Sequence, residues 1–341
     1  MNRVLLFAVL LTGCCLFAAN NNYDPEVFAV RGKARDYTNV FPPQVKTIAV
    51  ITPASYPGPK TLLAGIKLLR KAGYKVKVYP NVLRKPEVAD KTGYAAIPVE
   101  YRIADFEAAW RDLENDMIIC SRGGRGTEEL VANINWAKLP RRPELFLLGY
   151  SDVTMLLSFM VSKGYGRPVA GPTANGLPGL AARIVPVMKK VFHGEAVSLK
   201  LKPLKPGEAS GKVVAGLLSR YVRVVDAGYD FSARGKIVVI ESVSCTSRGV
   251  SRDLEFLLQK GFFKDASALV FGHFARPVDK KQIDIVLEKF AGKLDIPVYR
   301  GFPFGHQADN LVIDFSRPAF IKNNVITFPE IKPTKDKENE K

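Results

Sequence analysis

Short apolar runs alternate with amphipathic stretches along the first half of the chain. Residues 46–52 form an almost continuous apolar run, whereas 61–72 places Leu62, Ile66 and Leu69 on one helical face. The pattern predicts strands at 46–52, 75–79, 116–120 and 145–148, and helices at 61–72, 103–113, 128–136 and 152–163. Strands that alternate with helices predict a mostly parallel sheet with helices on both faces.

The second half of the chain has a different pattern. Residues 172–210 are rich in Pro, Gly and Lys, which predicts the crossing between two domains. Further strands are predicted at 212–218, 236–240, 268–271 and 297–299, with a helix at 251–260. We therefore predict an α/β fold with an N-terminal α/β domain (46–175), an interdomain linker (176–205), a C-terminal domain (206–328) and a charged tail (329–341).

Residues 1–19 have the pattern of an export signal, because Arg3 precedes the apolar stretch 4–11. The stretch ends in Leu11-Thr-Gly-Cys14, which resembles a bacterial lipobox, in which the cysteine is acylated. An ordinary cleaved signal is the alternative, although large side chains occupy the third position before its candidate cuts. Residues 20–45 are polar and predict a linker. Lipidation of Cys14 predicts an exported, periplasmic and membrane-anchored lipoprotein.

Composition and charge exclude only a few classes of protein. The 341 residues include 50 Lys and Arg against 33 Asp and Glu, a net charge of +17, and 47% of them are hydrophobic. Excess positive charge favours anionic partners. However, the basic residues are spread along the chain and no nucleic-acid-binding module accompanies them, so we predict no nucleic-acid partner.

Cysteine and histidine are scarce. Two of the four cysteines lie in the signal region, which leaves Cys120 and Cys245, and these can pair in an oxidising compartment. The three histidines are His193, His273 and His306. No Cys/His cluster has the spacing of zinc ligands, so we predict no metal and no other cofactor.

A glycine-rich turn joins the predicted strand at 116–120 to the predicted helix at 128–136, and it ends in Thr127. Ligands of open α/β sheets bind at the carboxyl ends of strands. Thr127 is therefore a candidate nucleophile, with Gly124 and the amide of Glu128 as candidate oxyanion contacts. Two other roles fit the same turn: Thr127 Oγ1 can cap the helix, or the glycines can cradle a phosphate.

Two more side chains follow predicted strands. Glu241 ends the apolar run 236–240, where a carboxylate can face a site rather than solvent. His306 lies on the Gly/Pro-rich loop 301–306. Taken singly, Glu241 is more often a paired structural acid and His306 an exposed histidine.

Taken in order, these segments resemble one family, the LD-carboxypeptidases, serine peptidases that trim muramoyl tetrapeptides. The resemblance runs from about Thr47 to Phe315. It rests on Arg122-Gly-Gly-Arg-Gly-Thr127, Leu148-Gly-Tyr-Ser-Asp-Val-Thr154, Gly171-Pro172, Ile240-Glu241 and Gly305-His306, of which the second is the most distinctive. It implies a Rossmann-like parallel-sheet N-terminal domain, a smaller β-rich C-terminal domain, an active site at their junction and, in many members, a homodimer.

The resemblance also implies roles for the site residues. The family's nucleophilic serine falls on Thr127, its glutamate on Glu241 and its histidine on His306. His306 then takes the proton of the Thr127 hydroxyl, and Glu241 orients the ring. Arg122 and Arg125 are candidate contacts for substrate carboxylates.

The implied function is a metal-independent, serine-type carboxypeptidase that removes terminal D-alanine from murein tetrapeptides. The extra methyl group of a threonine stiffens its χ1. A catalytically impaired or inactive muropeptide-binding protein of the same fold is therefore the alternative. A related hydrolase that cleaves a peptide–nucleotide conjugate is a third hypothesis, which the predicted export disfavours.

Overall fold

A computed structural model describes residues 35–88, 93–229 and 231–331, which form two sheets and the helices around them. The strands are β1 (Thr47–Ile51), β2 (Lys75–Val78), β3 (Met117–Cys120), β4 (Phe146–Gly149), β5 (Arg167–Ala170), β6 (Val197–Lys200), β7 (Lys202–Lys205), β8 (Ala209–Leu217), β9 (Lys236–Val243), β10 (Ala268–Ala275), β11 (Val298–Arg300), β12 (Ile313–Asp314), β13 (Pro318–Lys322) and β14 (Val325–Phe328). The helices are α1 (Pro59–Lys71), α2 (Val99–Arg111), α3 (Thr127–Asn133), α4 (Thr154–Lys163), α5 (Ile184–Phe192), α6 (Leu218–Asp226), α7 (Ser247–Gln259) and α8 (Lys280–Ala291).

The first sheet has the strand order β12-β5-β4-β3-β1-β2. Strands β1 to β5 are parallel, and Ile48, Ile118 and Leu147 are fully buried, as expected of strands covered on both faces. Strand β12 comes from the other end of the chain and pairs antiparallel with β5. Because β3 and β4 are parallel neighbours, the turns that follow them lie at the same edge of the sheet.

The second sheet has the strand order β6-β14-β13-β8-β9-β10-β11-β7. Strands β8 to β11 are parallel, and the strands on either side of them are antiparallel. Strand β8 also contacts β5 and β12 of the first sheet. The predicted α/β fold, with a parallel-sheet N-terminal domain and a β-rich second domain, is thus confirmed.

The elements that the sequence predicted lie close to their predicted positions, with differences at their ends, whereas helices α5, α6 and α8 were not predicted. Helix α2 begins at Val99, directly after Pro98, rather than at residue 103. Helix α3 ends at Asn133, because the chain then becomes extended at Ile134. Residues 176–205, predicted as a linker, contain helix α5 and two strands of the second sheet, so this crossing between the domains is folded.

The predicted signal segment with Cys14 and the tail from residue 332 lie outside the described residues. Among the helices of the described ranges, none combines the length and the apolar character that crossing a membrane requires.

Candidate active site

The turn after β4 carries Ser151 at the entrance to helix α4. Ser151 has a φ of 65°, a left-handed conformation that residues other than glycine rarely adopt. A short 3-10 turn then leads from Ser151 into α4. A Cβ atom on Gly123 would lie 2.9 Å from Ser151 Cβ, so the glycine-rich turn packs directly against this elbow. Such a strand–turn–helix geometry presents a serine hydroxyl at the carboxyl edge of a sheet.

The Ser151 hydroxyl meets His306, and His306 meets Glu241. Ser151 Oγ lies 2.9 Å from His306 Nε2, and His306 Nδ1 lies 2.8 Å from Glu241 Oε2. Because a carboxylate only accepts hydrogen bonds, Nδ1 carries the proton of the neutral ring, and Nε2 can accept from the Ser151 hydroxyl. The three residues therefore form the serine–histidine–carboxylate relay found in acyl-transfer enzymes.

Glu241 belongs to β9 and is fully buried. Its Oε1 has no hydrogen-bond partner among the described residues, so the imidazole of His306 is the main partner of this carboxylate. A buried carboxylate is costly unless it is paired. The pair therefore both orients the ring of His306 and favours the cation that the ring becomes when it takes a proton.

Backbone contacts hold the loop that carries His306 against the second sheet. The His273 amide of β10 donates a hydrogen bond to the Phe304 carbonyl at 2.8 Å. Gly305 has a φ of 134°, and a Cβ atom there would lie 3.0 Å from Glu241 Cβ. A glycine before His306 thus lets the loop pass directly over Glu241.

The ring of Tyr150 lies against the imidazole of His306, with the two ring centroids 5.0 Å apart. Burial and the charge of Glu241 raise the pKa of Tyr150 to about 12. The phenol is therefore neutral at physiological pH. It does not add a second anion that would compete with Glu241 for the imidazole.

Thr127 does not make the contact predicted for it. It is the first residue of α3 and is fully buried, and its Oγ1 has no hydrogen-bond partner among the described residues. The hydroxyl on His306 is that of Ser151, so the predicted contact between Thr127 and His306 is wrong. The capping alternative is wrong as well, because Gly126 is the N-cap and Thr127 Oγ1 caps nothing.

Asp152 joins the Ser151 elbow to the glycine-rich turn. The Thr127 amide donates a hydrogen bond to Asp152 Oδ2 at 2.9 Å, and Arg220 Nε lies 2.8 Å from Asp152 Oδ1. Arg220 belongs to α6, which follows a strand of the second sheet. One carboxylate therefore connects the two turns with each other and with the second domain, and Thr127 contributes through its backbone.

The predicted oxyanion contacts lie around the glycine-rich turn. Gly124 has a φ of 116°, and a Cβ atom there would lie 2.3 Å from Ser55 Oγ. Glu128 Oε2 lies 3.9 Å from Arg223 Nε at the surface. Gly124 is thus next to the residue that packs on Ser151, whereas Glu128 follows Thr127 into the helix.

The two predicted arginines hold the loop that precedes α2. Arg122 donates hydrogen bonds from Nη1 to the carbonyls of Tyr56 and Gly93, both at 3.1 Å. The guanidinium of Arg125 lies 5.7 Å from the centre of the Tyr94 ring. Arg122 is therefore largely occupied by the protein itself, whereas Arg125 is exposed.

Two cavities, each of about 420 Å³, are lined in part by the neighbours of Ser151 in the chain, the first by Tyr150 and the second by Asp152. The first, which we call the histidine cavity, has a lining that includes Tyr150, Pro172, Leu180, Arg276, His306 and Asn310. The second, which we call the arginine cavity, is lined by Arg125, Gly126, Glu128, Asp152, Arg220 and Arg223.

Cys120 and Cys245 are free thiols, and burial raises the pKa of both. In the ranges that the structure describes, no group of three or more His, Cys, Asp or Glu side chains is arranged to hold a metal ion.

An α/β fold with a serine–histidine–glutamate relay at the carboxyl edge of its parallel sheet defines a serine hydrolase architecture. Models of the LD-carboxypeptidase N-terminal and C-terminal domains match residues 48–168 and 210–320. The chain therefore belongs to the LD-carboxypeptidase family, a family of serine carboxypeptidases, as the resemblance implied.

Several relatives are similar over most of the chain. A probable murein peptide carboxypeptidase of Bacillus subtilis is 28% identical over 80% of this chain and 88% of its own length. The crystal structure of muramoyltetrapeptide carboxypeptidase from Oxalobacter formigenes has a TM-score of 0.70 at 22% identity, over 84% of this chain and 100% of its own. The microcin C7 self-immunity protein in complex with aspartyl sulfamoyl adenosine has a TM-score of 0.72 at 18% identity, over 85% of this chain and 98% of its own. At these identities the two structures show the fold alone.

Sequence reasoning missed Ser151, which contacts His306, and its neighbours Tyr150 and Asp152. The motif around Ser151 was available as a signal, since it directly follows a buried strand and precedes a helix, as a nucleophile elbow does. Thr127 has the same local context, and local context alone did not separate the two hydroxyls.

Proposed function

We propose that this protein is an LD-carboxypeptidase that removes terminal D-alanine from murein tetrapeptides, with Ser151 as nucleophile. The observation that carries the proposal is the relay from Ser151 Oγ through His306 to the buried Glu241, with distances of 2.9 and 2.8 Å. A continuous relay favours an enzyme over a protein that only binds muropeptides, because binding needs no serine held against an oriented imidazole.

In the first half of the proposed reaction, Ser151 Oγ attacks the carbonyl carbon of the L,D peptide bond. His306 Nε2 takes the hydroxyl proton, and Glu241 stabilises the resulting imidazolium. The carbon–nitrogen bond then breaks, and His306 returns the proton to the leaving amine, which releases D-alanine and leaves an ester on Ser151. In the second half, water attacks the ester, gives a proton to His306, and Ser151 Oγ leaves and takes that proton back.

The developing oxyanion needs donors beside Ser151. The amide of Asp152 directly follows the nucleophile and lies in the first turn of a helix, where amides are not used within the helix. Gly124 follows Gly123, whose Cα packs on the elbow. We assign the Asp152 amide and the glycine-rich turn at Gly124 as the two oxyanion contacts, in place of Glu128.

The substrate assignment draws on the relatives. The names of two of them specify a murein peptide carboxypeptidase and a muramoyltetrapeptide carboxypeptidase, and the chain covers most of each. Both names describe removal of a C-terminal residue from a peptidoglycan peptide. A tetrapeptide that ends in D-alanine is therefore the first substrate to test.

The test is release of D-alanine from purified murein tetrapeptide by wild type, Ser151→Ala and Thr127→Ser. We expect Ser151→Ala to lower kcat by about 10⁴-fold or more. Thr127→Ser should stay within about threefold of wild type, because Thr127 touches no reacting atom. A wild type that binds the tetrapeptide without releasing D-alanine would support the muropeptide-binding alternative. Loss of activity in Thr127→Ser with retention in Ser151→Ala would restore Thr127 as the nucleophile.

We also propose that the protein is exported and anchored through a lipid on Cys14. The support is the sequence pattern of residues 1–19. Labelling of wild type and Cys14→Ser with a radioactive fatty acid is the test: the wild type should incorporate the label, and the variant should not. The homodimer that the family resemblance implies stays a prediction, which the sedimentation velocity of the mature protein tests.

A further inference from the structure

Arg276 stands at the end of β10 in an unusual backbone conformation. Its φ is 48°, in the left-handed region that disfavours long side chains. Two hydrogen bonds hold the chain on either side of it: the Ser244 amide donates to the Ala275 carbonyl, and the Val278 amide donates to the Cys245 carbonyl, both at 2.9 Å. The strained residue is therefore fixed by its neighbours, and Arg276 belongs to the lining of the histidine cavity.

A second arginine has the same backbone conformation, and its own hydrogen bonds within the protein account for that conformation. Arg142 has a φ of 47°, and its buried guanidinium donates hydrogen bonds to Glu144 and to the carbonyls of Trp110, Asp112 and Asn115. In contrast, Arg276 is exposed and makes no ion pair with a carboxylate in the part of the chain that the structure describes. The strain at Arg276 thus has no internal partner to account for it.

The histidine cavity has the charge of an anion site. Arg276 is the one residue of the lining with a permanent charge, and no Asp or Glu of the described chain lines the cavity. In the arginine cavity, by comparison, Asp152 lies 2.8 Å from Arg220, and Glu128 lies 3.9 Å from Arg223. The arginine cavity thus contains two carboxylates, whereas the described lining of the cavity that contains His306 has one arginine and no carboxylate.

The reaction places the leaving amino acid in this same cavity. His306 donates a proton to the leaving amine, so that amine must lie at hydrogen-bond distance from Nε2. The carboxylate of a C-terminal residue is separated from its amine by a single carbon atom. It therefore enters the cavity that His306, Tyr150 and Arg276 line, and a guanidinium is well suited to bind a carboxylate through two parallel hydrogen bonds.

We propose that Arg276 binds the terminal carboxylate of the substrate and makes the enzyme an exopeptidase. The inference rests on the proposed function, because it uses His306 as the acid for the leaving amine. A substrate without a free terminal carboxylate leaves Arg276 unpaired in the cavity and is disfavoured for that reason.

The experiment compares a murein tetrapeptide with its C-terminal carboxamide in wild type, Arg276→Gln, Arg276→Lys and Arg252→Gln. Arg252→Gln is the matched control, since it removes the same charge from an exposed position on α7. We expect wild type to prefer the free acid, and Arg276→Gln to lower kcat/KM for the acid by about tenfold to a hundredfold. In the same variant, kcat/KM for the carboxamide should change by less than about threefold. Arg276→Lys should recover part of the preference for the free acid.

Binding of the two peptides to Ser151→Ala distinguishes failure of this inference from failure of the proposed function. Calorimetry with the acid and the carboxamide, in Ser151→Ala and in Ser151→Ala/Arg276→Gln, reports recognition of the carboxylate without any turnover. If wild type releases no D-alanine but Ser151→Ala binds the acid more tightly through Arg276, the proposed function fails and the carboxylate site stands. The assignment of Arg276 would be overturned if Arg276→Gln had a melting temperature near that of wild type and an unchanged ratio of kcat/KM for the acid to kcat/KM for the carboxamide.

Discussion

The backbone amide of Thr127 donates a hydrogen bond to the carboxylate of Asp152 at 2.9 Å, next to the serine that contacts His306. This bond joins the turns after two neighbouring strands of the first sheet. It explains how Thr127 can lie close to the site while its hydroxyl contributes nothing to the relay. The side chain of Thr127 fills space, and its amide positions the elbow through Asp152.

Replacement of Thr127 by valine should leave activity intact and preserve or increase stability. Thr127 Oγ1 is buried without a hydrogen-bond partner among the described residues, and valine exchanges it for a methyl group of similar size. Removal of an unpaired buried hydroxyl is neutral or favourable, by up to about 1–3 kcal/mol. Urea unfolding and D-alanine release measure the two effects.

Thr154→Val is the matched control for that substitution. Thr154 is equally buried, but its Oγ1 accepts a hydrogen bond from the Leu217 amide at 3.2 Å. Its replacement leaves that buried amide unpaired and should cost about 1–3 kcal/mol. Equal destabilisation by the two valine substitutions would contradict the assignment of Thr127 Oγ1 as an unpaired group.

Glu241→Gln should lower kcat strongly while substrate still binds. Glutamine keeps the shape of the side chain but removes the charge that fixes the tautomer of His306 and stabilises its cation. A loss in kcat of about 10³- to 10⁴-fold is expected, as in other serine hydrolase triads. Steady-state kinetics with the tetrapeptide provides kcat, and binding to Ser151→Ala/Glu241→Gln reports substrate affinity.

The control for Glu241→Gln is Asp105→Asn, which also converts a buried carboxylate to an amide. Asp105 accepts hydrogen bonds from the backbone and side chain of Asn81, at 3.0 and 2.9 Å, and lies on α2 away from the relay. The Asp105→Asn variant should be less stable than wild type but should retain its kcat. A similar loss of kcat in both variants would show that Glu241 acts only through folding.

Much of the fold was predictable from the sequence because its signals are local. The buried runs that form β1, β3 and β4 are short and apolar, and helix α1 begins at a proline and ends near a glycine. The pairing of β12 with β5 joins residues from opposite ends of the chain, and no local pattern specifies it. The folded crossing at 176–205 depends likewise on strands supplied much later in the chain.

The site was predicted only in part, for a related reason. Glu241 lies in β9 and His306 on the Gly/Pro-rich loop after β11, and the structure brings them together. Thr127 and Ser151 both follow buried parallel strands that are neighbours in the sheet, so both hydroxyls reach the same edge. Which of them meets the imidazole depends on the path of the loop before His306, and contacts with the second sheet set that path.

His273 should make the fold less stable in acid. Burial lowers the pKa of His273 below its ordinary value of 6.5, while the carboxylate of Asp309 and a backbone hydrogen bond with Asp309 act in the opposite direction. Because the folded state binds fewer protons here, this group's contribution to stability is complete above about pH 6.5 and is lost as pH falls through the folded pKa. The loss is at most about 1.4 kcal/mol per pH unit.

Urea unfolding at a series of pH values between about 7 and about 5 measures this contribution, because the histidine titrates over that range. We expect His273→Gln to flatten the decline in stability relative to wild type. A histidine titration by NMR reports the folded pKa directly. A pKa of His273 at or above that of an unfolded histidine, or identical slopes in the two proteins, would refute the prediction.

Gly305→Ala should reduce activity far more than Gly301→Ala, although both glycines belong to the loop before His306. Both have positive φ values, 134° and 93°, so alanine strains the backbone at either position. At Gly305 the new methyl group would also lie 3.0 Å from Glu241 Cβ, whereas at Gly301 it would meet nothing within 4 Å. Only Gly305→Ala therefore displaces His306 from Glu241 and Ser151.

A displacement of about 1 Å costs roughly a hundredfold in rate. We expect a loss of this size in kcat/KM for Gly305→Ala, with Gly301→Ala closer to wild type. Comparable activity losses in the two variants would show that backbone strain alone, rather than contact with Glu241, makes glycine necessary before the histidine.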